Sequence, residues 1–387
     1  MSSTLKPLRR VVTGNDERGR SKVVWDGPAP NAHESSMGSG RGHTDLWVWN
    51  ETPPSLSTAT DEGNNSYEFP CPPNGGHLRV VQGRSRPGDY DASKDVDAIA
   101  PHPPKARHEG ARVWDRGGNS LFSSAFHKTQ TIDYGILIGG ERQLILDDCT
   151  LTMKPGDIVV QVGAWHQWSN AKEGALMVFD MFAARFVDGA AGLAQGNDQP
   201  MKPKAKLPEG MKAARRIVTI DRENGKGSLV SDGPAPDVRF DPARPGFALE
   251  RLWVTDEHPA KIVYESLQVP NALVPPAGGT ICTVMTLPPD EAWKSKVGAG
   301  EVKAFFGALG ASAASTYSPL APHPYMQKTK TLDFCIVLEG DAMLVLDTQE
   351  VAVKAGDIVI QRGTNHAWSN RSGKSARIAI CSHDARA

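Results

Sequence analysis

Hydrophobic and polar residues alternate along several short segments of the chain, most clearly between residues 129 and 138. One face of this segment carries Thr129, Thr131, Asp133, Gly135 and Leu137, and the other carries Ile132, Tyr134, Ile136 and Ile138. Alternation with a period of two is typical of a strand that turns one face toward a core. Turn-forming pairs such as Gly139-Gly140 and Asp147-Asp148 separate it from further short apolar runs. Many short strands at this spacing predict an antiparallel sandwich or barrel.

The same pattern occurs twice in the chain. The segment His127–Asn170 aligns without a gap with Gln327–Asn370, and Arg9–Pro30 aligns with Arg215–Pro236. Two copies of one domain are therefore predicted. We place the boundary near residue 200, in the Gly-, Pro- and Lys-rich stretch Ala191–Ala214, which has the composition of a linker. The first domain then covers residues 1–200 with a core at about 127–182, and the second covers 201–387 with a core at about 327–382.

Helix is predicted only in short pieces, at Ala92–Ala100 and Asp290–Leu309. Proline is frequent between the strands, which predicts long, stiff connecting loops. The segment Gly14–Ser21 has the spacing of a phosphate-binding loop, but Arg20 stands where that pattern has lysine. Its strand-turn-strand context favours a hairpin turn instead.

Composition narrows the classes of partner. The 387 residues include 43 Lys+Arg and 44 Asp+Glu, and no basic stripe stands out, so nucleic acid is not expected as a partner. No apolar run approaches the ~20 residues of a membrane span, and the N-terminal residues lack the apolar core of a secretion signal. We therefore expect a cytoplasmic protein without membrane contact. The five cysteines are widely spaced and include no CxxC pair, which predicts reduced thiols.

The repeated segment also carries two short motifs. The first places His127, Thr129, Asp133 and Gly140 at defined intervals, and the second places Gly156, Gly163, His166 and Asn170. These motifs are similar to those of the cupin superfamily, and the whole chain resembles a bicupin. The resemblance covers about a quarter of the chain. In the first motif Thr129 stands where the family has its second histidine, and Asp133 where it has glutamate. The resemblance implies an all-β fold of two tandem cupin-type β-barrels (double-stranded β-helix or jelly roll), with long proline-rich loops and few short helices.

The resemblance also implies a metal-binding cavity lined by His127, Asp133 and His166. Two histidines and a carboxylate are enough to hold a divalent ion with open positions for substrate. We expect one such ion, Fe, Mn, Ni or Zn, in the N-terminal barrel. On a straight strand His127 and Asp133 would lie ~20 Å apart, so the chain must bend between them. Gln327 replaces the histidine in the second copy, and we expect no metal there.

Further residues are candidates for the walls of the two cavities. In the first barrel, the expected substrate contacts are Thr129, Thr131, Gln161 and Trp168. In the second barrel, the expected cavity residues are Gln327, Thr329, Asp333, Gln361, His366 and Trp368. A purely structural alternative stays open for each type: a histidine that closes the barrel, an aspartate that caps a turn, or a tryptophan that belongs to the core.

Three functions are compatible with these residues. The first is an enzyme with a mononuclear metal that acts on a small oxygenated or aromatic metabolite as a dioxygenase, decarboxylase or isomerase. The second is a metal-independent lyase, dehydratase or isomerase in which His166 and Asp133 transfer protons. The third is a non-catalytic protein that binds or senses a small molecule. The two barrels are expected to pack as an intramolecular pseudo-dimer through the apolar faces of their strands, which leaves a further homodimer open.

Overall fold

The chain was analysed as a computed structural model that describes residues 5–36, 40–56, 60–67, 69–95, 97–108, 110–187, 193 and 206–387. Its regular structure is almost entirely β. In the first half the strands are β1 (Arg9–Asn15), β2 (Ser21–Pro28), β3 (Asn31–Glu34), β4 (Gly42–Trp49), β5 (Gly76–Gly83), β6 (Lys105–Ala106), β7 (Val113–Asp115), β8 (His127–Thr129), β9 (Thr131–Ile145), β10 (Thr150–Met153), β11 (Ile158–Val162) and β12 (Gln167–Phe186). In the second half they are β13 (Arg215–Asp221), β14 (Gly227–Pro234), β15 (Asp237–Phe240), β16 (Ala248–Thr255), β17 (Ala260–Ile262), β18 (Thr280–Leu287), β19 (Thr331–Glu339), β20 (Asp341–Leu346), β21 (Glu350–Lys354), β22 (Ile358–Arg362), β23 (His366–Ser369) and β24 (Ala376–Asp384).

Helix is confined to short pieces, as predicted. The α-helix α1 spans Ala299–Ala308, and 3₁₀ helices lie at Glu62–Asn64, Ala92–Lys94, Asp290–Ala292, Lys294–Lys296 and Ser312–Ala314. The single helix expected over Asp290–Leu309 is thus two 3₁₀ turns followed by α1. Only Ala92–Lys94 of the expected piece Ala92–Ala100 is helical, and residue 96 is outside the described residues. Across the described ranges, no helix combines the length and the apolar character needed to cross a bilayer.

Two large sheets organise the molecule. One has eight strands in the order β15-β16-β18-β24-β19-β22-β1-β2. The other has ten, of which eight follow the order β14-β13-β11-β9-β12-β5-β4-β3, while β10 pairs with β9 and β17 pairs with β12. Smaller three-stranded sheets, β21-β20-β23 and β6-β7-β8, lie beside them. These sheets form the two predicted jelly-roll barrels, which confirms the fold class. The segment between Gly14 and Ser21 is the turn of the β1–β2 hairpin, as expected.

The hairpins that begin the two copies are exchanged between the sheets. Strand β1 pairs in parallel with β22 of the second copy, and β13 pairs in parallel with β11 of the first. Matching ion pairs fix both exchanges: Arg9 Nη1 donates to Asp357 Oδ2 at 2.8 Å, and Arg215 Nη1 donates to Asp157 Oδ2 at 2.7 Å. Each large sheet therefore contains strands from both sides of the boundary predicted near residue 200. Most of the predicted linker, residues 191, 192 and 194–205, lies outside the described residues, and the division into domains stays a prediction.

The apolar faces of the repeated strands share one core. Ile132, Tyr134 and Ile136 of β9 belong to the same buried cluster as Leu332, Phe334 and Ile336 of β19. Burial of such side chains contributes roughly 1.5–3 kcal/mol each, so this contact is a main source of stability. Two polar contacts cross it: Tyr134 Oη lies 2.6 Å from Thr280 Oγ1, and His383 Nε2 lies 2.9 Å from Asp180 Oδ2. With the apolar faces packed against each other, the polar faces of β9 and β19 point into the barrels.

Candidate active site

The strand is interrupted by a bend at Gln130, and this bend creates the cavity of the first barrel. The continuous strand suggested by the alternation is divided there into β8, which pairs with β7, and β9, which crosses the ten-stranded sheet. His127 and Asp133 consequently line one cavity of about 300 Å³, although they are six positions apart in the sequence. The bend that a shared site required is therefore present.

His127 and His166 face each other in this cavity. Their ring centroids are 4.4 Å apart, and reciprocal backbone hydrogen bonds of 2.8 and 2.9 Å join the two residues. His127 Nδ1 lies 2.7 Å from the carbonyl oxygen of Ala125, and His166 Nδ1 lies 2.8 Å from that of Ala164. A carbonyl oxygen only accepts, so each Nδ1 carries the proton and each Nε2 keeps a free lone pair.

Burial keeps both of these imidazoles neutral. It lowers the pKa of His127 to about 4 and places the pKa of His166 well below its ordinary value, with further repulsion from His127. Desolvation disfavours the charged form of a buried imidazole, which explains the direction of both shifts. Neutral rings with a fixed Nδ1–H are in the protonation state that metal binding or general-base catalysis requires.

Asp133 lies on a short relay of hydroxyl groups. Thr131 Oγ1 donates to Asp133 Oδ1 at 2.6 Å, and Thr129 Oγ1 lies 2.6 Å from Thr131 Oγ1. Burial raises the pKa of Asp133 to about 7, against the opposing effect of the Thr131 hydrogen bond. The carboxyl group is therefore able to hold or release a proton near neutral pH. Thr129 and Thr131 orient Asp133 and are not themselves part of the cavity wall.

The other two predicted substrate contacts differ in position. Trp168 lines the cavity, with its ring centroid 5.9 Å from that of His166. Gln161 is buried outside the cavity wall, and neither its Oε1 nor its Nε2 has a hydrogen-bond partner in the described part of the chain. Direct substrate contact by Thr129, Thr131 and Gln161 stays a prediction.

Several cavity residues were not identified from the sequence. Strands β4 and β5 contribute His43, His77 and Arg79, and the wall also includes Arg41, Arg107 and Arg142. Five of these six residues precede the segment His127–Asn170 in which the two copies align, so no comparison between copies pointed to them. For Arg142 a signal did exist, because the corresponding residue of the second copy is Ala342.

A possible metal-binding triad lies at the edge of this cavity. His33, His43 and Asp45 hold potential ligand atoms within 4.8 Å of one another, the one group of three or more that meets this spacing among the residues the structure describes. Asp45 already accepts hydrogen bonds from Arg79 Nε at 2.6 Å and Arg79 Nη2 at 3.2 Å. That guanidinium competes with any cation for the carboxylate. The predicted set of His127, Asp133 and His166 lines one cavity but is not gathered to the same spacing.

The second barrel has a smaller version of the same arrangement. Its cavity of about 80 Å³ is lined by Gln327, Thr329, Asp333, His366 and Trp368, all of which were expected there. Burial raises the pKa of Asp333 and lowers that of His366. Gln361 lies outside this wall and instead accepts a hydrogen bond of 2.8 Å from Thr13 of the exchanged hairpin.

Comparison with known proteins gives short local matches. No family profile matches the chain. The chain is 41% identical over 82 residues to a "cupin-domain-containing oxidoreductase virC" of Hypocrea virens, a match that covers 20% of this chain and 41% of that protein. It is 50% identical over 48 residues to "phomopsin biosynthesis cluster protein D" of Diaporthe leptostromiformis, 12% of this chain and 25% of the relative. The chain thus spans about a quarter of the length of the first curated relatives it matches.

Solved structures of cupin proteins overlap the chain more broadly but with low scores. A putative glyoxylate-induced protein from Pseudomonas aeruginosa has a TM-score of 0.39 and 10% identity, covering 92% of this chain and 84% of that one. A cupin 2 conserved barrel domain protein from Leptotrichia buccalis has a TM-score of 0.33 and 11% identity, covering 80% and 83%. Scores of this size carry no functional information.

Proposed function

We propose, from the premise that this chain is a two-barrel protein of the cupin fold, that it is a small-molecule enzyme with its active site in the N-terminal barrel. His127 and His166 bind one divalent metal ion there. The observation that carries the proposal is the pair of neutral imidazoles, each with its Nδ1–H given to a backbone carbonyl and its Nε2 free. The second barrel has Gln327 opposite His366 and a much smaller cavity.

Two of the three expected ligands, His127 and His166, fit a first-row divalent ion. Neutral imidazole suits Fe, Ni and Zn, and the carbonyl contacts at Nδ1 hold both rings in orientation as metal-bound histidines require. Asp133 is the expected third ligand, although its carboxyl group accepts from Thr131 at 2.6 Å. Two protein ligands leave positions open for substrate or water.

Redox chemistry is the reaction class we favour. Any of these ions, if bound, would supply Lewis-acid chemistry at its open positions, and a redox-active one such as Fe would also supply one-electron chemistry. The curated relative from Hypocrea virens is named an oxidoreductase, which supports this class over decarboxylation or isomerisation. Asp133 holds or releases a proton for the substrate, while the aromatic and thioether side chains of Trp168, Phe179 and Met181 limit water in the cavity.

Metal analysis of untagged protein tests this proposal. We expect about one equivalent of a first-row metal in the native protein and loss of most of it in His127→Gln, which copies the second barrel. The matched control is His43→Ala, which removes a ligand of the His33–His43–Asp45 triad and should leave the content unchanged. Metal that follows His43 instead of His127 would place the site in that triad.

A metal-independent acid–base enzyme is the second candidate. It is favoured by one observation, the Asp133 carboxyl group with a pKa of about 7 at the end of the threonine relay. Asp133→Asn keeps the shape and the hydrogen bond from Thr131 but removes the proton-transfer group. For this candidate turnover of an identified substrate should fall roughly 10²–10⁴-fold in protein without metal. A chain that turns over no substrate and only binds a small molecule would support neither enzyme.

A further inference from the structure

Arg142 is a buried guanidinium without a counter-ion in the cavity of the first barrel. Arg142 is only 6% exposed, and its Nε and Nη1 atoms make no hydrogen bond within the described structure. Among the residues that the structure describes, no carboxylate forms a salt bridge with Arg142, and its charge lies over the ring of Trp168 at 4.8 Å. Burial lowers the pKa of Arg142 to about 9, so the group is still protonated at neutral pH.

The other three arginines of the cavity wall already have partners. Arg79 Nε donates to Asp45 Oδ1 at 2.6 Å, and Arg107 Nε donates to Asp115 Oδ2 at 3.1 Å. Arg41 Nη1 donates to the backbone carbonyls of Ser120 and Leu121 at 2.8 and 2.9 Å. Among these four arginines of the described wall, only Arg142 has neither a carboxylate nor a carbonyl partner. An uncompensated buried charge is costly to keep in a folded protein.

The second copy lacks this charge. The position that corresponds to Arg142 is Ala342, just as Gln327 corresponds to His127. Loss of the paired histidine and loss of the buried arginine therefore occur together in the barrel with the smaller cavity. Strand pairing at this position does not require an arginine, because β20, which carries Ala342, pairs with β21 and β23 in the second barrel.

We propose that Arg142 binds the carboxylate of the substrate, and that the N-terminal cavity takes small organic acids with an apolar or aromatic body. The carboxylate supplies the counter-charge that the protein lacks. Phe69, Trp168, Phe179 and Met181 provide apolar and aromatic walls for the rest of the molecule. The position also suits the chemistry, since Arg142 shares the Trp168 ring as a neighbour with His166. This inference rests on the proposed function and names its substrate class.

Binding of benzoate to metal-stripped protein, measured by calorimetry, tests the proposal independently of the metal. We expect benzoate to bind the native protein and to bind Arg142→Ala about ten- to hundredfold more weakly, the value of one charged hydrogen-bonded contact. Benzamide, which has the same ring without the charge, should bind weakly and equally to both. Arg107→Ala removes a paired arginine from the same wall and should change benzoate affinity far less.

Three results would overturn this assignment. They are no benzoate binding to the native protein at millimolar concentration, equal benzoate affinity in native protein and Arg142→Ala, or stronger binding of phenyl phosphate than of benzoate. The last would show an anion site for phosphate esters. If the native protein contains metal but gives any of these results, the proposed function stands and only the substrate class is wrong. If the native protein contains no metal but binds benzoate through Arg142, the substrate class stands and the metal-dependent function is wrong.

Thermal unfolding of Arg142→Met separates ligand recognition from a structural role. Replacing an unpaired buried charge by an apolar side chain of similar length should leave the unfolding midpoint of ligand-free protein unchanged or raised. Benzoate should raise the midpoint of the native protein and not that of the variant. A lowered midpoint in the variant, with stabilisation by benzoate retained, would show that the guanidinium is a structural contact.

Discussion

Gln327 Nε2 lies 3.4 Å from His366 Nε2 in the second barrel, at the position where His127 faces His166 in the first. The backbones of both pairs are joined by the same reciprocal hydrogen bonds of 2.8 and 2.9 Å. His366 Nδ1 also lies 2.9 Å from a carbonyl oxygen, that of Thr364, as the corresponding atom does in the first barrel. These two facing pairs thus share one backbone frame and differ by one side chain, histidine in the first barrel and glutamine in the second.

Gln327→His should therefore create a second metal site. The new imidazole would face His366 as His127 faces His166, and the metal content should rise from about one toward two equivalents per chain. Gln327→Ala is the control and should leave the content unchanged. Metal analysis that still finds one equivalent in Gln327→His would show that a histidine pair on this frame is not sufficient.

The exchanged hairpins predict an unusual effect of truncation. Removing residues 1–30 deletes β1, which pairs with β22 of the second barrel, together with β2, which pairs with β1, while β11 of the first keeps its partner β13. Hydrogen exchange should therefore lose protection at Ile358–Arg362 and retain it at Ile158–Val162. Loss of protection at β11 instead would mean that each hairpin belongs to the barrel of its own copy.

The contact between Asp180 and His383 should contribute strongly to the stability of the two-barrel unit. Both side chains are buried, and the contact joins β12 of the first copy to β24 of the second. Asp180→Ala leaves a buried imidazole without its hydrogen-bond partner, which should lower the free energy of unfolding by roughly 1–3 kcal/mol. Asp26→Ala, which breaks the more exposed pair with Arg9, should cost about 1 kcal/mol or less. Equal losses in denaturant unfolding would contradict this difference.

Most of the barrel architecture could be predicted because it depends on local alternation and on the repeat. The row of Thr131, Asp133 and Gly135 opposite Ile132 and Tyr134 fixes which face of β9 is polar, and the structure places Asp133 of that face in the cavity wall. Exchange of the hairpins could not be predicted, since Arg9–Pro30 and Arg215–Pro236 have the same local pattern whichever barrel they join. Long-range pairing leaves no trace in a period-two pattern.

The candidate site was predictable only where the two copies could be compared. The motif resemblance predicts that His127 and His166 lie in one cavity. His43, His77 and Arg79 could not be predicted, because they lie upstream in strands without an aligned counterpart. Arg142 follows Gly139-Gly140 and Glu141, a polar context that resembles an exposed hairpin. Its burial depends on β12 and on Trp168, which no local pattern shows.

A crystal structure of protein loaded with Mn²⁺, with anomalous diffraction data, tests the location of the active site most directly. The expected result is one anomalous peak per chain, between His127 Nε2 and His166 Nε2 in the N-terminal barrel. No peak should lie near Gln327 and His366. A peak at His33, His43 and Asp45, or one in the second barrel alone, would contradict the assignment of the active site to the His127–His166 pair.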